Sequence, residues 1–105
     1  MFINLTPHEI HLPNQVIPPD GRVARCKELS LPIFGHRDGA ESVELIFRAY
    51  GYIVDLPEPI ECVIFIVSAM VRMAWPGRKD LASPGDLVRD EKGNIVGCLN
   101  LVVNP

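Results

Sequence analysis

The stretch that decides the fold runs from Cys62 to Val103, and it opens with the apolar run Cys-Val-Ile-Phe-Ile-Val at residues 62–67. A run that is apolar at every position is typical of a central strand that is covered on both faces. Ser68 follows at once, and serine is favoured at a helix N-cap because its hydroxyl oxygen accepts a backbone N–H of the first turn. The sequence therefore predicts a buried strand that leads directly into a helix.

The predicted helix is short. Residues 69–75 read Ala-Met-Val-Arg-Met-Ala-Trp without a helix breaker, and Pro76-Gly77 end the pattern. About two turns of helix do not persist alone in water, so this helix must pack against strands. A charged loop is expected next, and then a hairpin with strands at 87–89 and 95–103, in which Gly93 is free to take a positive φ.

The first half of the chain contains several short strand signals. They lie at residues 2–5, 9–12, 16–17, 23–26, 43–48 and 51–55, with a tight turn expected around Tyr50-Gly51. Residues 28–42 predict an irregular loop, and Leu56-Pro57-Glu58-Pro59 predicts a rigid extended connector. The sequence as a whole predicts an α+β fold: about seven short strands in a strongly bent antiparallel sheet or small β-barrel, with one short helix.

Length and composition set limits on the class of protein. A chain of 105 residues is expected to form one domain over residues 1–105, and its 48% hydrophobic content is ordinary for a globular protein. The formal charge of −3 argues against DNA or RNA as a partner, because sequence-independent nucleic-acid binding needs a basic surface. No apolar run approaches the roughly 20 residues of a membrane span, and the N-terminus does not resemble a signal peptide, so we expect a cytoplasmic protein without a membrane partner. Cys26, Cys62 and Cys98 are widely spaced and odd in number, which predicts reduced and mostly buried thiols.

The densest charge marks the predicted ligand site. Arg78, Lys79 and Asp80 follow the helix, and Arg89-Asp90 lies where the chain re-enters a strand, so the two clusters are expected to face each other across a bend at Pro84-Gly85. Guanidinium and ammonium groups bind anions, and carboxylates accept hydrogen bonds from hydroxyl groups. Because residues 76–92 are formally neutral, the pattern favours a zwitterionic or nucleotide-like ligand. The alternative is that these charges pair with one another and only solvate a long loop.

Three further residues are candidates for the same site. Ser68 and the amides that follow it are expected to hold an oxyanion without catalysis, since the glycines of a nucleophile elbow are absent. Thr6 and His8 are expected to contribute from the opening turn, with a turn hydrogen bond between them. His8 and His11 do not have the four-residue spacing of the helical zinc motif, so neither a metal nor a cofactor is predicted.

Several short strings together resemble a known group of proteins. They are Asn4-Leu5-Thr6-Pro7-His8, Leu56-Pro57-Glu58-Pro59, Ile66-Val67-Ser68, Arg78-Lys79-Asp80-Leu81, Leu87-Val88-Arg89-Asp90 and Gly97-Cys98. The chain resembles, over nearly its whole length, a family of short uncharacterised proteins found in phages and bacteria. The resemblance indicates relatives and not a reaction. It implies the roles common among small phage proteins, which are binding a host protein or sequestering a nucleotide signal of bacterial immunity.

The leading hypothesis is a non-enzymatic small-molecule-binding protein. A phage-type sponge for a nucleotide-derived signal fits the predicted site, and a homo-oligomer is expected because a small chain encloses a ligand more easily across a subunit interface. One alternative is an interaction module that inhibits a host partner through an exposed strand edge and Trp75. Another is a small hydrolase or transferase that uses Ser68, His8 or a carboxylate.

Overall fold

The computed structural model describes residues 1–32 and 46–105, without the side chains of residues 29–32 and 46–50. The described part contains ten strands and one helix. In chain order they are β1 (Phe2–Asn4), β2 (Ile10–Leu12), β3 (Gln15–Ile17), β4 (Arg25–Pro32), β5 (Ile46–Val54), β6 (Ile64–Ile66), α1 (Ala69–Ala74), β7 (Leu81–Pro84), β8 (Leu87–Arg89), β9 (Ile95–Cys98) and β10 (Leu101–Val103).

The α+β class is confirmed, but the sheet architecture differs from the expected one. The described strands form four small sheets, and they are not closed into a barrel. The largest sheet has the order β1-β6-β7-β10, in which β6 is parallel to both of its neighbours and β10 is antiparallel to β7. The other three sheets are the antiparallel pairs β2–β3, β4–β5 and β8–β9. The central sheet is therefore mixed, and the single antiparallel sheet that we expected is not seen.

Strand β6 is the centre of the fold, as its apolar sequence predicted. Because successive side chains of a strand point to opposite faces, Phe65 and Ile66 enter two different apolar clusters. The first cluster contains Leu5, Ala24, Val63, Phe65, Val67, Val71 and Leu81, and the second contains Ile10, Ile17, Ile66 and Cys98. Each fully buried side chain as large as valine, leucine, isoleucine or phenylalanine stabilises the fold by roughly 1.5–3 kcal/mol. Strand β6 thus joins the two halves of the core.

Strand β7 was missed, because residues 76–86 were expected to be a charged loop. Leu81, Ala82 and Ser83 are buried between β6 and β10. The polar Ser83 is accommodated because Arg72 of the helix donates a hydrogen bond of 2.8 Å to its hydroxyl oxygen. This partner is distant in the sequence, so the local pattern of serine, proline and glycine gave only a turn signal.

Two expectations for the first half of the chain are also wrong. Residues 28–32, expected in a loop, belong to β4, and β5 continues through Tyr50 and Gly51, where a turn was expected. Two residues of β5, Gly51 and Tyr52, lie against the single Lys27 of β4. The glycine signal therefore marks a bulge within a long hairpin. The remainder of the expected loop, from residue 33, and the start of the strand expected at 43–48 lie outside the described residues.

The last predicted strand, residues 95–103, is divided into β9 and β10. Asn100 lies at the break, where its backbone oxygen accepts the Gly85 N–H. Its side chain accepts the Asp86 N–H and donates to the Asp86 carboxylate, at 2.9 and 3.0 Å. These bonds turn the chain away from the β8–β9 hairpin and place β10 beside β7.

Gly97 permits a close approach between the β8–β9 and β2–β3 hairpins. A Cβ added at Gly97 would lie 2.7 Å from the backbone oxygen of His11. We expect Gly97→Ala to lower the free energy of unfolding by about 1–3 kcal/mol, because backbone must move to admit the methyl group. Chemical denaturation measures the change. Gly77→Ala is the matched control, since nothing lies within 4 Å of its added Cβ. Equal stability of the two variants would contradict this packing.

The remaining sequence expectations concern cysteines and membranes. All three cysteines are free; Cys98 is buried and Cys26 is half-buried, but Cys62 is exposed, contrary to expectation. Among the described residues, no helix combines the length and the apolar character that a bilayer crossing requires.

Candidate functional site

Arg78 points into the protein. Its side chain is only 7% exposed, and its guanidinium forms a two-pronged contact with Asp80, in which both N–O distances are 2.7 Å. It also donates to the backbone oxygen of Pro57 and lies 5.1 Å from the ring centroid of Trp75. The hydrogen bond from Arg78 lowers the pKa of Asp80, and the same bond raises the pKa of Arg78. This arrangement ties the connector to the end of the helix and leaves Arg78 turned away from a ligand in solvent.

Arg89 and Asp90 organise the turn of the β8–β9 hairpin. Arg89 donates to the backbone oxygen of Gly93 at 2.9 Å. The carboxylate of Asp90 accepts the N–H groups of Lys92 and Asn94, both at 2.9 Å. The bonds from Asn94, chiefly its backbone N–H, lower the pKa of Asp90 although the carboxylate is fully exposed. Both residues therefore have a local structural role in the turn.

Thr6 and His8 form the predicted turn contact, in which the Thr6 hydroxyl shares its one hydrogen between the Asn4 side-chain oxygen at 2.6 Å and the His8 backbone oxygen at 3.1 Å. The turn is held by Asn4, which is 1% exposed. The Asn4 side-chain oxygen accepts from the N–H and hydroxyl of Thr6, and its amide nitrogen donates to the backbone oxygens of His8 and Ile17. This buried amide fixes the position of Thr6.

Ser68 is the N-cap of helix α1, as predicted. Its Oγ accepts the backbone N–H of Val71 at 3.3 Å, and its backbone is extended. The helix is closed at its other end by Asn104, whose side-chain NH2 group shares its two hydrogens among the backbone oxygens of Arg72, Trp75 and Arg78. Ser68 is consequently presented to solvent at a fixed position beside β6.

Thr6 and Ser68 line the same concave surface, which we call the Thr6–Ser68 cleft. Its volume is 380 Å³, and its walls are mainly apolar. The lining residues are Leu5, Thr6, Pro7, Val23, Ala24, Arg25, Cys26, Glu28, Ser68 and Met70. Within the described part of the chain, Arg25 forms no ion pair or hydrogen bond with another side chain. The cleft thus combines an apolar wall, two hydroxyl groups and a guanidinium group.

The other predicted residues lie in different clefts. Lys79 and Asp80 line a cleft of 430 Å³ together with Met1, Phe2 and Ile60. Arg89 and Asp90 line an open depression of 570 Å³ at the tip of the β8–β9 hairpin. Arg78 and His8 line none of these three surfaces. In the clefts described here, the two cationic clusters are therefore not brought together.

Two important residues of the site region were not identified from the sequence. Asn4 was read only as part of an opening string, and its burial depends on partners as distant as Ile17. Arg25 was read only as part of a short strand. A cation at the start of a strand, opposite a polar turn, is the signal that could have identified Arg25. The position of Arg25 beside Ser68, however, depends on tertiary packing, which a local pattern does not show.

The described residues contain no group of three or more His, Cys, Asp or Glu side chains placed to hold a metal ion. Comparison of the chain with protein-family models, with curated proteins and with solved structures gave no match. The resemblance to short phage and bacterial proteins therefore stays a prediction from the sequence strings.

Proposed function

We propose that this protein is a non-enzymatic binding protein that holds a small, nucleotide-like anion in the Thr6–Ser68 cleft. The observation that carries the proposal is Arg25, a guanidinium without an ion-pair partner among the described residues, in a cleft that also presents Thr6 and Ser68. A guanidinium fork binds phosphate or carboxylate through two parallel hydrogen bonds. Arg25 is thus the binding group for the anion.

The rest of the cleft suits the other parts of such a ligand. Pro7, Val23 and Met70 offer apolar surface to a flat ring, and Glu28 lies on the same surface. A volume of 380 Å³ falls within the roughly 300–1,000 Å³ of small-molecule sites. A nucleotide combines a ring, hydroxyl groups and an anion, and it therefore matches this lining better than a bare phosphate does.

The wider biological role follows from the resemblance of the sequence strings. A phage protein with this cleft acts in the host cytoplasm as a sponge, which lowers the free concentration of a nucleotide-derived signal of antiviral immunity. Retention of the ligand requires binding groups and no activated nucleophile, and the capping bond of Ser68 agrees with this. In this proposal the protein is a homo-oligomer, and it has no DNA, RNA or membrane partner.

The test is thermal unfolding with and without mononucleotides, ADP-ribose and cyclic dinucleotides. A ligand at about 100 times its Kd stabilises the folded state by about 2.7 kcal/mol, which raises Tm by roughly 10 °C or more for a domain of this size. We expect at least one compound to do so, and Arg25→Ala to remove the shift while leaving the Tm of the free protein almost unchanged.

The matched control is Arg22→Ala. Arg22 is exposed, pairs with Asp20 at 2.7 Å and does not line the cleft, so this variant should keep the full ligand shift. A shift that survives in Arg25→Ala would contradict the proposed site. Recovery of the bound compound unchanged supports a sponge, whereas its conversion supports the hydrolase or transferase alternative.

A second candidate function is an interaction module that inhibits a host protein. The observation that favours it is Trp75, which is 46% exposed and is held in place by the guanidinium of Arg78. Large aromatic side chains of this kind are frequent anchors of protein interfaces. No stabilisation by any nucleotide, together with capture of one specific host protein that Trp75→Ala abolishes, would establish this function instead.

A further inference from the structure

Strand β10 forms one end of the central sheet and has an unpaired outer side among the described residues. The phase of its pairing with β7 shows which groups point outward. Gly85 donates its N–H to the Asn100 oxygen, while the backbone oxygen of Ala82 is directed to β6, where it accepts the Val67 N–H. Along two antiparallel strands, pairs of opposite residues alternate between those that exchange backbone hydrogen bonds and those that do not. The pairs Leu101–Pro84 and Val103–Ala82 are therefore non-bonded, and the N–H and C=O groups of Leu101 and Val103 point away from the sheet.

Within the described ranges 1–32 and 46–105, this edge lacks the usual protection against strand pairing. Natural proteins place charged residues, especially lysine, or proline on exposed edge strands. Residues 101–103 read Leu-Val-Val, and Val102 and Val103 are 41% and 51% exposed. The edge is also held in place, because the side-chain amide of Asn104 binds the end of the strand to the backbone oxygens at and just beyond the end of the helix. A fixed, apolar and unprotected edge is a template for another strand.

We propose that the partner of this edge is β10 of a second copy of the chain, in a symmetric antiparallel dimer. Placing Val102 opposite Val102 of the second copy pairs Leu101 with Val103 in both directions. The outward N–H and C=O groups of both residues are then satisfied in each copy, and the two central sheets become continuous. A two-fold axis between the two identical strands is enough to set this register, and no other contact is needed to define it.

Charge and side-chain chemistry also favour a second copy. Residues 101–103 carry no charged side chain, so the paired strands of two copies place no like charges opposite each other. The Val102 side chains meet in a non-bonded pair, where cross-strand side chains are closest and β-branched residues pack well. An edge of three residues offers few side chains by which a foreign peptide could be recognised. Pairing with a second copy, in contrast, satisfies every outward backbone N–H and C=O group of the strand.

The test is the mass of the protein in solution, measured by sedimentation across a wide range of concentrations. We expect a dimer for the wild type, and a rise of at least tenfold in the dissociation constant for Val103→Pro. Proline at position 103 removes an outward N–H and leaves the bonds to β7 intact. Val102→Lys is a second variant, because it places two ammonium groups side by side at the axis. Met73→Lys, on the exposed face of the helix, is the control and should remain dimeric.

Amide hydrogen exchange gives a readout that does not depend on the folding of a variant. In the wild type, the Leu101 and Val103 amides should be protected at high protein concentration and exchange faster on dilution. A wild-type protein that is monomeric throughout, with rapid exchange at both amides, overturns the proposal and leaves the edge to a different partner strand. Arg25→Ala should stay dimeric, so failure of the ligand proposal is distinguishable from failure of this one.

Discussion

Asp80→Asn is expected to lower the free energy of unfolding by about 3 kcal/mol, because it leaves the guanidinium of Arg78 buried without its counter-charge. Arg78 is 7% exposed and forms both of its short contacts with this carboxylate. The chain offers a matched control in Asp20→Asn. Asp20 and Arg22 are also two residues apart with an N–O distance of 2.7 Å, but the pair is exposed, so its loss should cost less than about 1 kcal/mol.

The same pair predicts how stability depends on pH. The pKa of Asp80 is lower in the folded protein than in the unfolded chain, because Arg78 donates to its ionised form. The stabilisation is therefore complete above the unfolded pKa of about 3.9, and it is lost as the pH falls through the folded pKa. Denaturation between about pH 5 and pH 2 should show a steeper loss in the wild type than in Asp80→Asn. Equal stability and equal acid sensitivity of the two proteins would show that the pair is not buried as described.

Asn4→Ala is expected to lower the free energy of unfolding by about 3 kcal/mol or more. It removes a buried side chain whose amide nitrogen and amide oxygen both form hydrogen bonds. The hydrogen bonds that it makes to Thr6, His8 and Ile17 are 2.6–3.1 Å long. Each buried partner left unsatisfied costs about 1–3 kcal/mol. Chemical denaturation measures the loss, and Asn14→Ala, in the exposed β2–β3 turn, should change stability by less than about 0.5 kcal/mol. A small effect at Asn4 would mean that water or another group replaces its hydrogen bonds.

The sequence predicted the parts of the fold that depend on local patterns. The apolar run of β6, the Ser68 cap and the hairpin around Gly93 all have signals within a few residues, and the structure confirms them. Strand β7 and the division between β9 and β10 have no such signals. Ser83 is buried only because Arg72 reaches it, and Asn100 ends the strand only because Gly85 and Asp86 are its partners. Contacts between distant residues determine both features.

The candidate site shows the same limit. Thr6 and Ser68 were selected from turn and cap signals, and the structure places them on one cleft. Arg78 was selected because it is charged, but its side chain is turned inward, where it bonds to Asp80 and contacts the ring of Trp75. Charge in a sequence does not reveal whether a cation pairs locally or faces a ligand. For this reason Arg25, which forms no ion pair within the described part of the chain, replaces Arg78 and Arg89 as the proposed anion-binding residue.

The most direct test of the account is a nuclear magnetic resonance titration with the nucleotide that gives the largest thermal shift. The proposed site predicts that the largest changes in amide chemical shift occur around Thr6, Arg25 and Ser68, and that they disappear in Arg25→Ala. Changes confined to residues 89–94, or no change at any residue with any member of the panel, would contradict it.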